Sequence, residues 1–151
     1  MLANRTLFGL SKILRSKFVR RNTKLKIYKT LIIPVLIYGA EAWTLSTADK
    51  NRLGIFERKI LRMIFGPVCD RGEWRIRYNH ELYRLYKDKD IVTTILKQQL
   101  RWLGHTYRMQ DDAPPKKIAF TKMSGKRRQG RQRLCWLDVL EKDMAENNIR
   151  S

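Results

Sequence analysis

Nine lysines and arginines and no carboxylate occur between Met1 and Ala40; the first acid is Glu41. Such a stretch cannot neutralise its charges locally, so the fold must set apolar side chains on one side and cations on another. Leu7, Leu10, Ile13, Leu14 and Phe18 recur at helical intervals across Leu2–Phe18, with basic residues between them. An amphipathic helix meets both demands. A second helix is expected from Asn22–Thr23, which suit its cap, through KLKIYKTLIIPVLIYG. Its second half is apolar all round, which predicts burial. Pro34 removes one helical hydrogen bond and should kink or divide this helix. Ile and Val also suit a β-strand over Leu31–Tyr38.

The remaining segments follow the same periodicity. Ser46 with Asp49 resembles a capping box, and the helix it opens should run to Phe65, before Gly66–Pro67. Leu53, Phe56, Ile60 and Ile64 share one face of it, and Arg58, Lys59 and Arg62 the other. GPVCDRGEW reads as a loop, and Asn79 can cap a short helix, HELYRLYK. A fifth helix is expected from Asp90 to about Met109, with Ile91, Ile95, Trp102 and Met109 along its apolar edge. DDAPPKK breaks it, and Leu134, Leu137, Leu140 and Met144 mark a last helix. The expected fold is all-α, a compact bundle of five or six helices with a basic Gly/Arg-rich loop before the last one. Residues 1–121 read as a helical domain and 122–151 as the basic loop plus a C-terminal helix.

Composition narrows the partner. The chain has 151 residues, 33 Lys+Arg against 14 Asp+Glu, and a net charge of +19. With 43% apolar residues it is not a disordered basic tail. A charge of that size repels itself, so a polyanionic partner is expected, nucleic acid first and anionic membrane second. The longest apolar run, LIIPVLIYGA, is too short to span a bilayer. Cys69 and Cys135 form no close pair and no secretory signal is visible, which suggests packed or incidental reduced thiols in an intracellular protein.

The patterns required for catalysis are missing from the sequence. Two Cys, Cys69 and Cys135, and two His, His80 and His105, lie far apart, with no local zinc spacing. Glu57-Arg58-Lys59 matches the Glu-x-Lys step of one nuclease class, but without a Pro-Asp upstream it reads as helix surface. Asp111-Asp112, ahead of Pro114-Pro115, reads as a solvated turn. No Walker-type phosphate loop and no paired polymerase aspartates occur.

Two features suit a phosphate backbone. Lys97, Arg101, His105 and Arg108 recur at spacings of four, four and three, which gathers them into one stripe on a helix. Gly104 lies on the same side, where the missing side chain would admit a strand closely; an ordinary solvated face would look the same. The second feature is GKRRQGRQRLCW, in which Lys126, Arg127, Arg128, Arg131 and Arg133 sit on a Gly-bracketed loop leading into a helix. Arginine forks match phosphate geometry, though nuclear-localisation signals look similar. Trp102 and Trp136 follow these cations closely and could stack bases, but their helical spacing favours the core.

Five motifs in order, KLKIYKTLIIPVLIYGAEAW, FERKILRMIFGP, RYNHELYRLY, LRWLGHTYRM and GKRRQGRQRLCWLD, resemble the region after the palm in reverse transcriptases of non-LTR retrotransposons, of the endonuclease–reverse transcriptase type. The resemblance covers nearly the whole chain. It implies a parent RNA-directed DNA polymerase with an N-terminal endonuclease and Mg²⁺ in its palm. This chain would be the helical thumb and the region C-terminal to the thumb, nuclear and without catalytic residues or a cofactor of its own. Its partners would be RNA or DNA and the parent's palm and fingers, with no membrane. The Lys97–Arg108 stripe would then grip a duplex, and Gly125–Trp136 would contact template or target DNA. Gln132 stands where Pro is expected in that last motif, and no zinc knuckle is present. The competing expectation is a basic docking module that binds a protein partner in a ribonucleoprotein through an apolar patch at Leu31–Tyr38. A working polymerase or nuclease is the third.

Overall fold

The segment from Thr47 to Phe65 shows how the sequence builds this molecule. In the computed structural model, which describes residues 2–121 and 135–147, it is one nineteen-residue helix, α4. It buries Leu53, Ile60, Leu61, Ile64 and Phe65. It stops at Gly66, whose φ of 69° is left-handed and whose N–H returns to the Arg62 carbonyl at 2.9 Å. The other helices are α1 Leu2–Arg15, α2 Arg21–Ile27, α3 Ile33–Leu36, α5 Asn79–Tyr86, α6 Ile91–Tyr107, α7 Pro114–Phe120 and α8 Trp136–Glu146. The helical expectation for the fold holds. The chain divides into two units: residues 1–38 with 47–93, and residues 39–46 with the chain from 94 onward.

The first unit has a core of Leu7, Leu14, Tyr28, Ile32, Ile60, Leu61, Ile64, Phe65, Leu82 and Tyr86. Helix α1 supplies Leu7 and Leu14 but ends at Arg15, short of the expected Phe18, which is fully exposed. The Ser16 hydroxyl accepts the Phe18 N–H at 3.2 Å, a local turn that competes with continued helix. Helix α2 begins at Arg21, with extended Arg20 before it, so Asn22 and Thr23 lie inside its first turn rather than capping it.

The chain then widens into a π-helical turn, Tyr28–Ile32, closed by the Ile33 N–H on the Tyr28 carbonyl, before α3. Pro34 accounts for the widening: it has no N–H for the preceding turn, and its ring crowds the carbonyl four residues back. The segment is helical, not a strand. Nor is it buried all round. Tyr28, Ile32 and Leu36, four apart, face the core, while Leu31, Val35 and Tyr38 are 48%, 39% and 86% exposed.

The expected loop after α4 contains a hairpin, β1 Val68–Asp70 antiparallel to β2 Glu73–Arg75. Arg71 and Gly72 turn it with φ of 51° and 91°, the pair of positive angles that a two-residue hairpin turn requires. The residue before α5 is Tyr78, not Asn79. Glu81 accepts the Tyr78 N–H at 2.8 Å, while Asn79 takes a hydrogen bond from Arg62 at 2.8 Å.

In the second unit, Gln99 on α6 donates to the carbonyls of Ala40 at 3.3 Å and Trp43 at 2.7 Å. The Trp136 indole at the start of α8 donates to the Glu41 carbonyl at 2.9 Å. These bonds give the backbone groups of residues 40–43 partners that no regular element supplies. Leu45, Leu96 and Leu140 are buried in this unit. Helix α7 is tied to the end of α6 by Lys116, which donates to the Met109 carbonyl and pairs with Asp111, and by Tyr107 against Phe120, ring centres 6.2 Å apart.

Candidate nucleic-acid interface

Helix α6 is amphipathic because Ile91, Ile95, Leu96, Gln99 and Thr106 turn inward. That leaves Lys97, Arg101 and His105 on its exposed side, with exposed Arg108 in the turn just past its end. Lys97, Arg101 and His105 lie at four-residue spacing along the helix and Arg108 follows it, and among the described residues none of the four forms an ion pair. A row of donors left open in this way can follow a backbone of phosphates. A Cβ built on Gly104 would lie 3.5 Å from Nη1 of Arg108, so the guanidinium occupies part of the space that the glycine opens. Trp102 departs from the core reading: it is 38% exposed, with its ring 5.6 Å from that of His105 at a tilt of 47°. Its place next to Arg101 puts it at the border of the apolar face. Trp136 is half-buried. Lys126, Arg127, Arg128, Arg131 and Arg133 lie outside the described residues, as do Gln132 and Leu134.

Glu57 corrects the reading of Glu57-Arg58-Lys59 as helix surface. Its side chain is fully buried. Oε1 accepts the Tyr28 hydroxyl at 3.2 Å; Oε2 accepts the Tyr83 hydroxyl at 3.1 Å and the Ile91 N–H at 3.3 Å. Burial raises the Glu57 carboxyl above its ordinary range, and the three hydrogen bonds oppose that rise. Burial, and then the nearby Glu57, raise the hydroxyls of Tyr28 and Tyr83. This is a structural carboxyl that joins α4, the π-helical turn, α5 and the start of α6. No substrate path to it is needed to explain it.

The hairpin carries a second group of side chains that the sequence reading did not single out. Trp74 and Tyr78 are 74% and 58% exposed. The Arg75 guanidinium lies over the Tyr78 ring at 4.5 Å, and Tyr78 stacks on His80 with ring centres 5.8 Å apart. Arg75 also forms a two-bond fork to Glu81, at 2.9 and 2.8 Å, and a bond to Asp70 at 2.9 Å. That fork, then the Tyr78 N–H, lowers the Glu81 carboxyl to about 2. The missed signal was Arg71-Gly72, whose glycine marks a possible tight turn.

Cys69 and Cys135 are exposed thiols rather than packed ones, and His80 and His105 are exposed. Among the described residues, no three His, Cys, Asp or Glu side chains converge to hold a metal. Also among them, no helix is long and apolar enough to cross a membrane.

The chain is 24% identical over 138 residues to a transposon-derived, uncharacterised protein of Caenorhabditis elegans. The match covers 91% of this chain and 50% of that relative, so the chain spans about half its length. No family model matches. No solved structure matches.

Proposed function

We propose that the chain is a nucleic-acid-binding helical segment from the region after the palm of a retrotransposon RNA-directed DNA polymerase, which grips a phosphate backbone without cutting or copying it. The observation that carries this is the open row of Lys97, Arg101 and His105 along α6 with Arg108 just past its end. The similarity to a transposon-derived protein supports the element origin. The order of motifs from KLKIYKTLIIPVLIYGAEAW to GKRRQGRQRLCWLD supports the reverse-transcriptase part. The roles of these residues follow from their chemistry. The arginines donate planar forks and Lys97 a compact charge, so contacts go to phosphate oxygens and carry little base preference. Lys126, Arg127, Arg128, Arg131 and Arg133 would extend the contact along the strand. A nuclear location follows from a DNA-linked role, and Mg²⁺ belongs to the parent's palm.

The test is binding to an RNA–DNA hybrid, duplex DNA and single-stranded RNA across a salt series. The expected slope of log K against log salt is roughly −4 to −8, and each of Lys97→Gln, Arg101→Gln and Arg108→Gln should make it shallower by about 0.9 on duplex DNA. Preference for the hybrid would favour a thumb-like role. Weak, salt-insensitive binding would defeat the reading. The docking module would then take over, as favoured by the exposed row Leu31, Val35 and Tyr38, an apolar face on which a protein partner could settle.

A further inference from the structure

A second basic surface lies in the first unit, at a shallow, open groove lined by Arg15, Ile55, Lys59, Arg62 and Met63. Arg15 comes from the last turn of α1. The other four share the face of α4 turned away from Leu53, Ile60 and Ile64, because positions 55, 59, 62 and 63 fall within one sector of a helix. Three of the five lining residues are cations and none is an acid. Arg62 is already positioned: its Nη2 donates to Asn79 Oδ1 at 2.8 Å. Its buried Nε has no hydrogen-bond partner among the described residues. Ile55 is 60% exposed and Met63 partly buried, so the apolar part of the groove lies open beside the charges.

We infer that this groove binds a single-stranded nucleic-acid segment, independently of the α6 stripe. Phosphate would sit on Arg15, Lys59 and Arg62, and a sugar or base face on Ile55 and Met63. A bare inorganic anion uses only the cations and leaves the apolar part wet, whereas a nucleotide unit carries both chemistries at the same spacing. The methionine suits the second role, since its flexible, polarisable thioether adapts to different flat faces. The α6 row offers instead the half-exposed Trp102 ring, 5.6 Å from that of His105, beside its cations.

The experiment tracks the Met63 methyl by carbon–proton NMR in the full chain, assigned with Met63→Leu, as octathymidylate is added. The signal should move saturably. Arg15→Gln with Lys59→Gln, both at exposed positions, should weaken that response by about tenfold. Lys117→Gln with Lys142→Gln, exposed cations outside both surfaces, should leave it unchanged, whereas Lys97→Gln with Arg101→Gln, the α6 pair, should weaken binding of duplex DNA. Three results would overturn the inference: a stationary Met63 methyl while the oligonucleotide still binds by anisotropy, indifference to the Arg15/Lys59 pair, or an equal shift with inorganic triphosphate or phosphatidylserine vesicles. If the Met63 response survives but the α6 pair has no effect on any nucleic acid, the α6 reading fails and this one stands.

Discussion

At the scale of the residue, Glu57 illustrates what a linear pattern conceals. In sequence it lies beside Arg58 and Lys59, where an acid is ordinarily solvated. Its hydrogen-bond partners are 26 to 34 residues away, and two of them are tyrosine hydroxyls that no spacing rule attaches to it. Its removal should destabilise the fold strongly. Glu57→Ala would leave two hydroxyls and the Ile91 N–H without their acceptor, and should cost about 3 kcal/mol or more in denaturant unfolding. Glu57→Gln keeps one acceptor oxygen and the shape, and should cost under about 1.5 kcal/mol. The two variants also separate the proton from the packing. Because the folded carboxyl is raised above 4.5, the folded chain holds more protons than the unfolded one between that value and the raised one. Glu57 therefore makes stability fall as pH rises through this window, and level off above it. The Gln variant should flatten that part of the stability–pH curve, and an unchanged curve would place the proton elsewhere.

At the scale of the element, legibility follows the strength of local signals. Helix α4 was readable to its last residue because a cap signal, a 3.6-residue apolar period and a glycine–proline stop all agree. The π-helical turn was foreshadowed only as a kink at Pro34. The hairpin was missed because each strand has three residues, too few to show alternation, and arginine is not a favoured first residue of its turn. What holds the hairpin is the Arg75 fork to Glu81 on α5, a contact of side chains rather than of pattern. Arg75→Lys replaces the fork by a single charge. The Glu81 carboxyl should then titrate well above its present value of about 2, toward the ordinary 4.5, in a carboxyl-carbon NMR titration. The sign follows from the depressed value: the contribution of this pair is complete above 4.5 and lost as pH falls toward 2. The α6 stripe was legible because three of its four positions depend on helical geometry alone. The groove at Arg15 was not, since Arg15 and Lys59 meet only through the packing of α1 on α4.

At the scale of the whole molecule, a net charge of +19 sets two salt effects against each other. The free chain repels itself, and salt screens that repulsion. The pairs Lys29–Asp88, Arg75–Glu81 and Lys116–Asp111 lose some attraction in salt, but the excess of 33 cations over 14 acids outweighs them. The Tm of the free chain should therefore rise between low and physiological salt. On the proposed function, bound nucleic acid would act in the opposite sense: it would neutralise the same surface and stabilise the folded chain by mass action, most strongly when salt is low and binding tight. With ligand at about 100 times Kd, the gain is about 2.7 kcal/mol at low salt, and it shrinks as salt weakens binding. Thermal unfolding with and without an RNA–DNA hybrid should thus give two curves that converge as salt increases, the free one rising and the bound one falling. Parallel curves would mean that the ligand is not held through its phosphates. A free-chain Tm that falls with salt would mean that internal ion pairs, rather than net repulsion, dominate the electrostatics of this fold.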